Sequence, residues 1–426
     1  MNFNFPLLIG KASLFFIRAL RLGSGSTWPG HIVLSINPNF VNQILKKSEI
    51  KIIVIAGTNG KTTTGKLIST ILKKDNKKVI RNASGANLLN GLATSLIWGS
   101  DMSGKQKEDY LIFESDENAL PQVIKQTNPD YIIALNLFRD QLDRYGEIDS
   151  IAKKWKTAFS ILDSKTTLIL NSDDPQMAQL ASGTKAKSLF FGLKELGKDK
   201  TSHGADTTYC PRCYKKLNFE TVFFSHLGVW QCPYCKLRRP KPDLSKLLSY
   251  PLSGTYNKYN ALAAALFAKS ENIKQQTIEA AFKNFTPAFG RQEKMNYQGK
   301  NVQIFLSKNP TSFNESLTTV EELRGKNLLI LLNDRIPDGL DVSWIWDINF
   351  EEILNKDINI AVSGDRVYDM ALRLKYAEQF THVEPNLNNA INKMIENLEK
   401  DETLYVLPNY SAMLEARKIL TGRKIL

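Results

Sequence analysis

The sequence predicts an α/β protein: a helix-covered parallel sheet, an inserted four-cysteine ribbon, and a smaller second α/β domain. Three observations carry this. Short β-branched apolar runs alternate with helical stretches along most of the chain, the pattern of a parallel sheet buried on both faces. One of those runs ends in a loop of glycines, hydroxyls and a lysine, and helical apolar spacing follows it. All four cysteines fall in two Cys-x-x-Cys pairs.

At 426 residues the chain exceeds one ordinary core, so two or three domains are expected. Its 42% hydrophobic and 23% charged residues are those of a globular protein. A net charge of +13 favours an anionic partner: nucleotide, phospholipid surface, pyrophosphate or nucleic acid. Lysines spread along the chain also serve solubility alone.

Residues 1–50 read as a basic, amphipathic lead-in. Its apolar run from Pro6 to Arg21 is interrupted by Lys11 and is followed by no small-residue cleavage site, which argues against a secretion signal. No apolar stretch reaches the roughly 20 residues that span a bilayer. Lys11, Arg18 and Arg21 fall on one side of a helical wheel. That suits either an interfacial helix or a helix packed on its own domain. A cytoplasmic location is expected, with peripheral contact at the inner membrane face left open.

Residues 51–295 read as the nucleotide domain. The run Ile52-Ile53-Val54-Ile55-Ala56 leads into Gly57-Thr58-Asn59-Gly60-Lys61-Thr62-Thr63-Thr64. In such a strand, loop and helix, backbone N–H groups and the positive helix end face phosphates. Lys61 adds a point charge, and Thr62 is placed to hold Mg²⁺. Gly57, Thr58, Asn59, Gly60, Lys61, Thr62 and Thr63 are therefore candidate ATP-binding residues, although Ile55 stands where the strict eight-residue pattern has glycine. Further strands are expected at 77–80, 110–117, 131–136 and 167–171, with a loop opening at Ser84-Gly85-Ala86-Asn87. Lys61, Glu114 and Asn136 then lie at strand carboxyl ends, where such sheets bind ligands.

Cys210-Pro211-Arg212-Cys213 and Cys232-Pro233-Tyr234-Cys235 mark an insert at about 205–243. Two knuckles at this spacing predict a tetrahedral Zn²⁺ site, and four thiolates leave no open position, so the zinc is structural. Disulfides or a redox pair are the alternatives. Lys236, Arg238, Arg239 and Lys241 add positive charge, yet no aromatic and basic platform extends them, and no nucleic acid is expected. Beyond the insert, Asn257 and Asn260 head an alanine-rich helix, and Phe289-Gly290-Arg291 closes the domain. Residues 296–426 form the smaller α/β unit, with strands at 302–306, 327–332 and 358–362.

The loop Gly57-Thr58-Asn59-Gly60-Lys61-Thr62-Thr63 resembles the ATP loop of the Mur ligase family, which joins amino acids to peptidoglycan precursors. Other stretches resemble one branch of it, the MurT-type synthetase subunits of lipid II isoglutaminyl synthases. They are Phe138-Arg139-Asp140-Gln141-Leu142-Asp143-Arg144-Tyr145-Gly146-Glu147, the cysteine insert, Tyr256-Asn257-Lys258-Tyr259-Asn260, Ser307-Lys308-Asn309-Pro310, and the run from Asp338-Gly339-Leu340-Asp341 to Asp347. The chain departs from the branch at Thr311-Ser312-Phe313 and at Leu340, where arginine is common.

The resemblance implies a chemistry. ATP phosphorylates the α-carboxylate of D-glutamate in the lipid II stem peptide, and ammonia attacks the acyl phosphate to give D-isoglutamine. Lys61 would hold phosphate oxygens, Thr62 and Glu114 Mg²⁺, Asn260 with Asn257 the adenine, and Arg291 a phosphate or acyl phosphate. No cysteine lies outside the knuckles, and the histidines are His31, His203, His226 and His382. A glutaminase needs a free nucleophilic thiolate with a base. The resemblance therefore implies a heterodimer with a GatD-type glutamine amidotransferase subunit, whose histidine Asp341 would orient. Asp338 and Asp347 are the neighbouring alternatives. Two rival readings share the ATP loop: a stand-alone Mur or folylpolyglutamate-type amino-acid ligase, and a zinc-ribbon nucleic-acid-binding ATPase with salt-sensitive binding.

Overall fold

β1 (Lys51–Ala56) is buried at every position after Lys51, as an apolar strand in the middle of a two-faced sheet must be. Five more strands join it: β2 (Val79–Arg81), β3 (Tyr110–Glu114), β4 (Tyr131–Ala134), β5 (Thr167–Asn171) and β6 (Lys187–Phe191). Their order is β2-β3-β1-β4-β5-β6, parallel throughout. The structure is a computed structural model describing residues 4–20, 25–83, 85–138, 148–194, 207–354 and 357–422. Arg21, Ser84, the 139–147 stretch and the first residues of the insert, 205–206, lie outside the described residues.

Alternate residues of β1 enter opposite cores. Ile52 and Val54 belong to the core that holds Leu92 and Trp155, while Ile53 and Ile55 belong to the one that holds Leu67, Ile71 and Ala264. The second face belongs to the loop helix Lys61–Lys74 and the alanine-rich helix Thr255–Ser270. The described residues between 4 and 45 contribute three helices, Asn4–Ala19, Trp28–Ile36 and Phe40–Leu45, which cover the first face together with the helix Leu89–Gly99.

The insert carries the antiparallel hairpin of β7 (Asn218–Phe224) and β8 (Leu227–Gln231). The C-terminal sheet has six strands rather than the three expected: β9 (Arg291–Tyr297), β10 (Lys300–Phe305), β11 (Asn327–Leu331), β12 (Asn359–Ser363), β13 (Thr381–Val383) and β14 (Thr403–Pro408). They run β13-β12-β11-β14-β10-β9, parallel except for β9, an antiparallel edge. β9 pairs along its length with β10, so a division at 295 falls within a strand of the second sheet.

Candidate active site

The loop after β1 is held in shape from beneath. The Thr58 and Asn59 N–H groups donate to the carbonyl (3.1 Å) and side chain (3.0 Å) of Asn136, and the Asn136 amide donates back to the Asn59 carbonyl. The Thr58 hydroxyl exchanges hydrogen bonds with the Phe138 backbone. Gly60 has φ +92°, and a Cβ there would lie 2.1 Å from Asn260 Oδ1, so both conformation and space demand glycine. Thr63 is buried in the first turn of the helix that follows.

Lys61 and Thr62, the first residues of that helix, each meet a carboxylate. Lys61 Nζ lies 2.8 Å from Glu117 Oε1 and also donates to the Gly57 carbonyl. The Thr62 hydroxyl donates to Glu114 Oε2 at 2.5 Å, and Arg81 pairs with Glu114 Oε1 at 2.8 Å. Glu114 is further fixed through its backbone N–H, which donates to Asn82. A hydroxyl and a carboxylate oxygen side by side are the hard donors that Mg²⁺ takes, and Lys61 supplies the charge that phosphate oxygens need. The residues fit Mg-ATP. Arg81 and Glu117 were not singled out from sequence: Arg81 is the last residue of β2 and Glu117 lies three residues past β3, each a single charge with no spacing to mark it.

These groups open into a cavity of about 760 Å³ between the two sheets. Asn257, Asn260 and Arg291 also line it. Asn260 Oδ1 accepts from the Thr64 hydroxyl at 3.2 Å, and its amide donates to Asn257 Oδ1. Both asparagines are therefore braced from below the loop. Burial lowers the Arg291 pKa, while the Glu114 charge works the other way. The C-terminal unit contributes Lys308, Ser312, Glu315 and Tyr410, and Asn309 reaches Asn59 across the gap at 3.5 Å. The insert supplies Phe224 and Leu227 as part of the wall.

All four cysteine Sγ atoms lie within 4.8 Å of one another, with Cys210–Cys235 and Cys213–Cys232 at 3.5 Å. None is in a disulfide. Each knuckle makes the same turn: Tyr214 N–H donates to the Cys210 carbonyl and Lys236 N–H to that of Cys232, with both residues at positive φ. Zn–S bonds of about 2.3 Å in a tetrahedron need sulfurs about 3.8 Å apart, so the set fits zinc. The ribbon is tied to the sheet. Arg239 pairs with Asp173 at 2.6 Å, Tyr259 donates to the same carboxylate, and Trp230 donates to the Ser172 carbonyl. Arg239, one of the cations considered for nucleic acid, is thus committed inward.

The three candidate aspartates of the C-terminal unit differ sharply. Asp338 is buried and accepts from the Ser411 N–H and hydroxyl, and burial raises its pKa. Asp341 and Asp347 are exposed. The Ser343 N–H donates to Asp341 and holds its carboxyl below the usual range. Arg373 donates to the Ile345 and Ile348 carbonyls and pairs with Glu351, which pins the segment carrying these aspartates.

Comparison with known proteins agrees with this geometry. The profile described as Mur ligase middle domain matches residues 55–268, and that described as MurT ligase C-terminal matches residues 306–413. The chain is 33% identical to the lipid II isoglutaminyl synthase (glutamine-hydrolyzing) subunit MurT of Streptococcus pneumoniae, covering 98% of this chain and 97% of that one. It is 32% identical to the Staphylococcus aureus MurT, with 91% of each covered. Among solved structures, a pseudomurein peptide ligase type C from Methanothermus fervidus superposes with TM-score 0.67 at 22% identity, covering 92% of this chain and 83% of that one. MurF ligase from Thermotoga maritima, solved in complex with ADP, gives 0.65 at 14% identity, covering 91% and 83%. Two sheets facing one cavity, the Gly-Lys-Thr loop, the four-cysteine ribbon and this full-length likeness place the chain in the Mur ligase family, within its MurT branch.

Proposed function

We propose that this chain is the synthetase subunit of a lipid II amidating enzyme: the α-carboxylate of D-glutamate in the stem peptide takes the γ-phosphoryl group of ATP, releasing ADP, and ammonia from a glutaminase partner displaces inorganic phosphate from that acyl phosphate to give D-isoglutamine. The observation that carries the reading is the pairing of Thr62 with Glu114 and of Lys61 with Glu117 at one end of a two-domain cavity, in a chain that is MurT-like over its full length.

ATP supplies the phosphoryl group; the residues supply position and charge. Glu114 and Thr62 hold the cation, with Arg81 fixing the carboxylate's orientation. Lys61 exchanges Glu117 for phosphate oxygens. Asn257 and Asn260 brace the loop and offer amide edges toward adenine, and Arg291 faces the developing anion. Lys308 and Tyr410 bring the C-terminal unit to the same space, so acceptor and nucleotide meet between the sheets.

A partner is required because the four thiols are committed to the ribbon. Asp341 is exposed and held ionised, the state that orients and stabilises a histidinium in a triad. Exposed Ile336, Leu340 and Trp346 around it offer apolar area for docking. The test is amidation of lipid II by the chain with Mg-ATP and ammonium. Product supports the reading; an added amino acid in place of the amide would make the chain a stand-alone ligase.

A further inference from the structure

We propose that the outward face of the helix Asn4–Ala19 is a lipid-contact surface that seats the protein on an anionic bilayer. Six of its exposed positions, Phe5, Leu8, Ala12, Phe15, Phe16 and Ala19, fall within an arc of about 100° on the helix and all are apolar, while the exposed Arg18 lies about 60° outside that arc. Phe15 and Phe16 are 68% and 59% exposed. A surface helix normally presents polar residues there.

The helix has already satisfied its own domain. Gly10 sits so close that a Cβ would lie 2.7 Å from Val33 and 2.8 Å from Ile97, and Leu7 is buried. Lys11 is used up inward: its ammonium donates to the Ile97 and Ser100 carbonyls at 3.0 and 2.6 Å, closing the end of the helix Leu89–Gly99. The outer stripe is thus a second apolar face. Sixteen residues are too few to cross a bilayer, and among the described residues no helix is long and apolar enough. That leaves the geometry of a helix lying in the interface.

Charge selects the occupant. No aspartate or glutamate precedes Glu49, and residues 76–100 contain none, so the helices packed here carry no carboxylate, and Arg18 is the cation left outward once Lys11 has turned in. Arg18 lies 3.1 Å over the half-exposed Trp98 ring, a cation and indole pair at the rim of the stripe, the combination suited to a headgroup layer. Asp101, just beyond, is engaged by the Ser103 and Lys105 N–H groups. The helix Leu89–Gly99 also links this face to the cavity. Leu88, before its first residue, lines the cavity, and Trp98 lies near its far end, about 15 Å away at 1.5 Å per residue. If the lipid-linked substrate proposed above is correct, this face brings the mouth to the headgroups. Binding itself does not depend on that reading.

The experiment is co-sedimentation of the full chain with vesicles of phosphatidylcholine, alone or mixed with phosphatidylglycerol. The wild-type chain should partition onto the phosphatidylglycerol vesicles, and the double variant Phe15→Ser, Phe16→Ser should partition about tenfold less or weaker still, with unchanged ATP binding and melting temperature. Brominated lipid should quench indole emission in the wild-type chain, a readout that needs no variant. Absence of wild-type binding to either vesicle, or equal binding by the double variant, overturns the proposal. So does a fall from dimer to monomer mass in the double variant, which would assign the face to a second copy of the chain. Lipid binding without amidation would refute only the reaction.

Discussion

Gly60→Ala tests whether the loop geometry serves the nucleotide. At φ +92° a side chain costs about 1–2 kcal/mol in backbone strain. The new Cβ would stand 2.1 Å from Asn260 Oδ1, so Asn260 must move. That breaks its bonds with Thr64 and Asn257, each worth about 1 kcal/mol. The total, about 3–4 kcal/mol, exceeds what a surface loop tolerates, so the loop shifts and the N–H cradle opens. Restoring it on binding should weaken ATP by roughly a hundredfold or more, since each 1.4 kcal/mol is a factor of ten. Titration calorimetry with Mg-ATP reads the affinity directly, and circular dichroism confirms that the sheet is intact. An affinity within about threefold of wild type would mean that the loop accommodates the methyl group and that its shape is not matched to phosphate.

Other consequences follow from the same contacts. Arg81→Ala leaves Glu114 without its cation in a mostly buried position, which should cost about 1–3 kcal/mol in chemical denaturation; Mg-ATP should restore part of that stability, and equal losses with and without it would count against Glu114 as a metal ligand. Purified protein should carry about one zinc per chain by elemental analysis, and chelation should expose the 210–239 segment to protease; a metal-free chain with an unchanged digest would remove the ribbon's metal. Burial works against Glu271 ionising, but hydrogen bonds from Lys51, Tyr110 and Tyr131 outweigh it and leave its pKa lowered. Its contribution, on the order of 1 kcal/mol, is therefore present above the unfolded value of 4.5 and is lost as pH falls through the lower folded value. Glu271→Gln should thus lower the melting temperature at neutral pH, the gap closing in acid; a constant gap would assign the effect to packing.

The parts legible in the sequence are those fixed by local pattern. The apolar run of β1, the Gly-Lys-Thr turn and the knuckles each specify their neighbours within a few residues, and Glu114 was found because it ends a buried strand. β6 and β9 were missed because neither reads as a core strand: β6 is only partly buried, and β9 (Arg-Gln-Glu-Lys-Met-Asn-Tyr) is a polar edge. β14 lies at the centre of its sheet and is almost wholly apolar, and its pattern was readable, but a strand that pairs on both sides with distant segments announces no partner. Glu117 and Arg81 belong to the same class of omission. Their importance comes from which charges face them, Lys61 from 56 residues earlier and Glu114 from 33 residues later, and only the fold brings these together. Among the described residues of the first 50, a single lead-in by composition, three helices form, and glycines at 10 and 30 permit their close crossings.

In the proposed reaction the chain activates a carboxylate itself and takes its nitrogen from another protein. The most direct measurement is lipid II amidation by the purified chain and by its Asp341→Asn variant, given Mg-ATP with either ammonium or glutamine plus a GatD-type partner. Product is expected from ammonium with both chains, and from glutamine only with the partner present and Asp341 intact. Glutamine-driven product from the chain alone, or a variant that uses glutamine as well as wild type does, would contradict it.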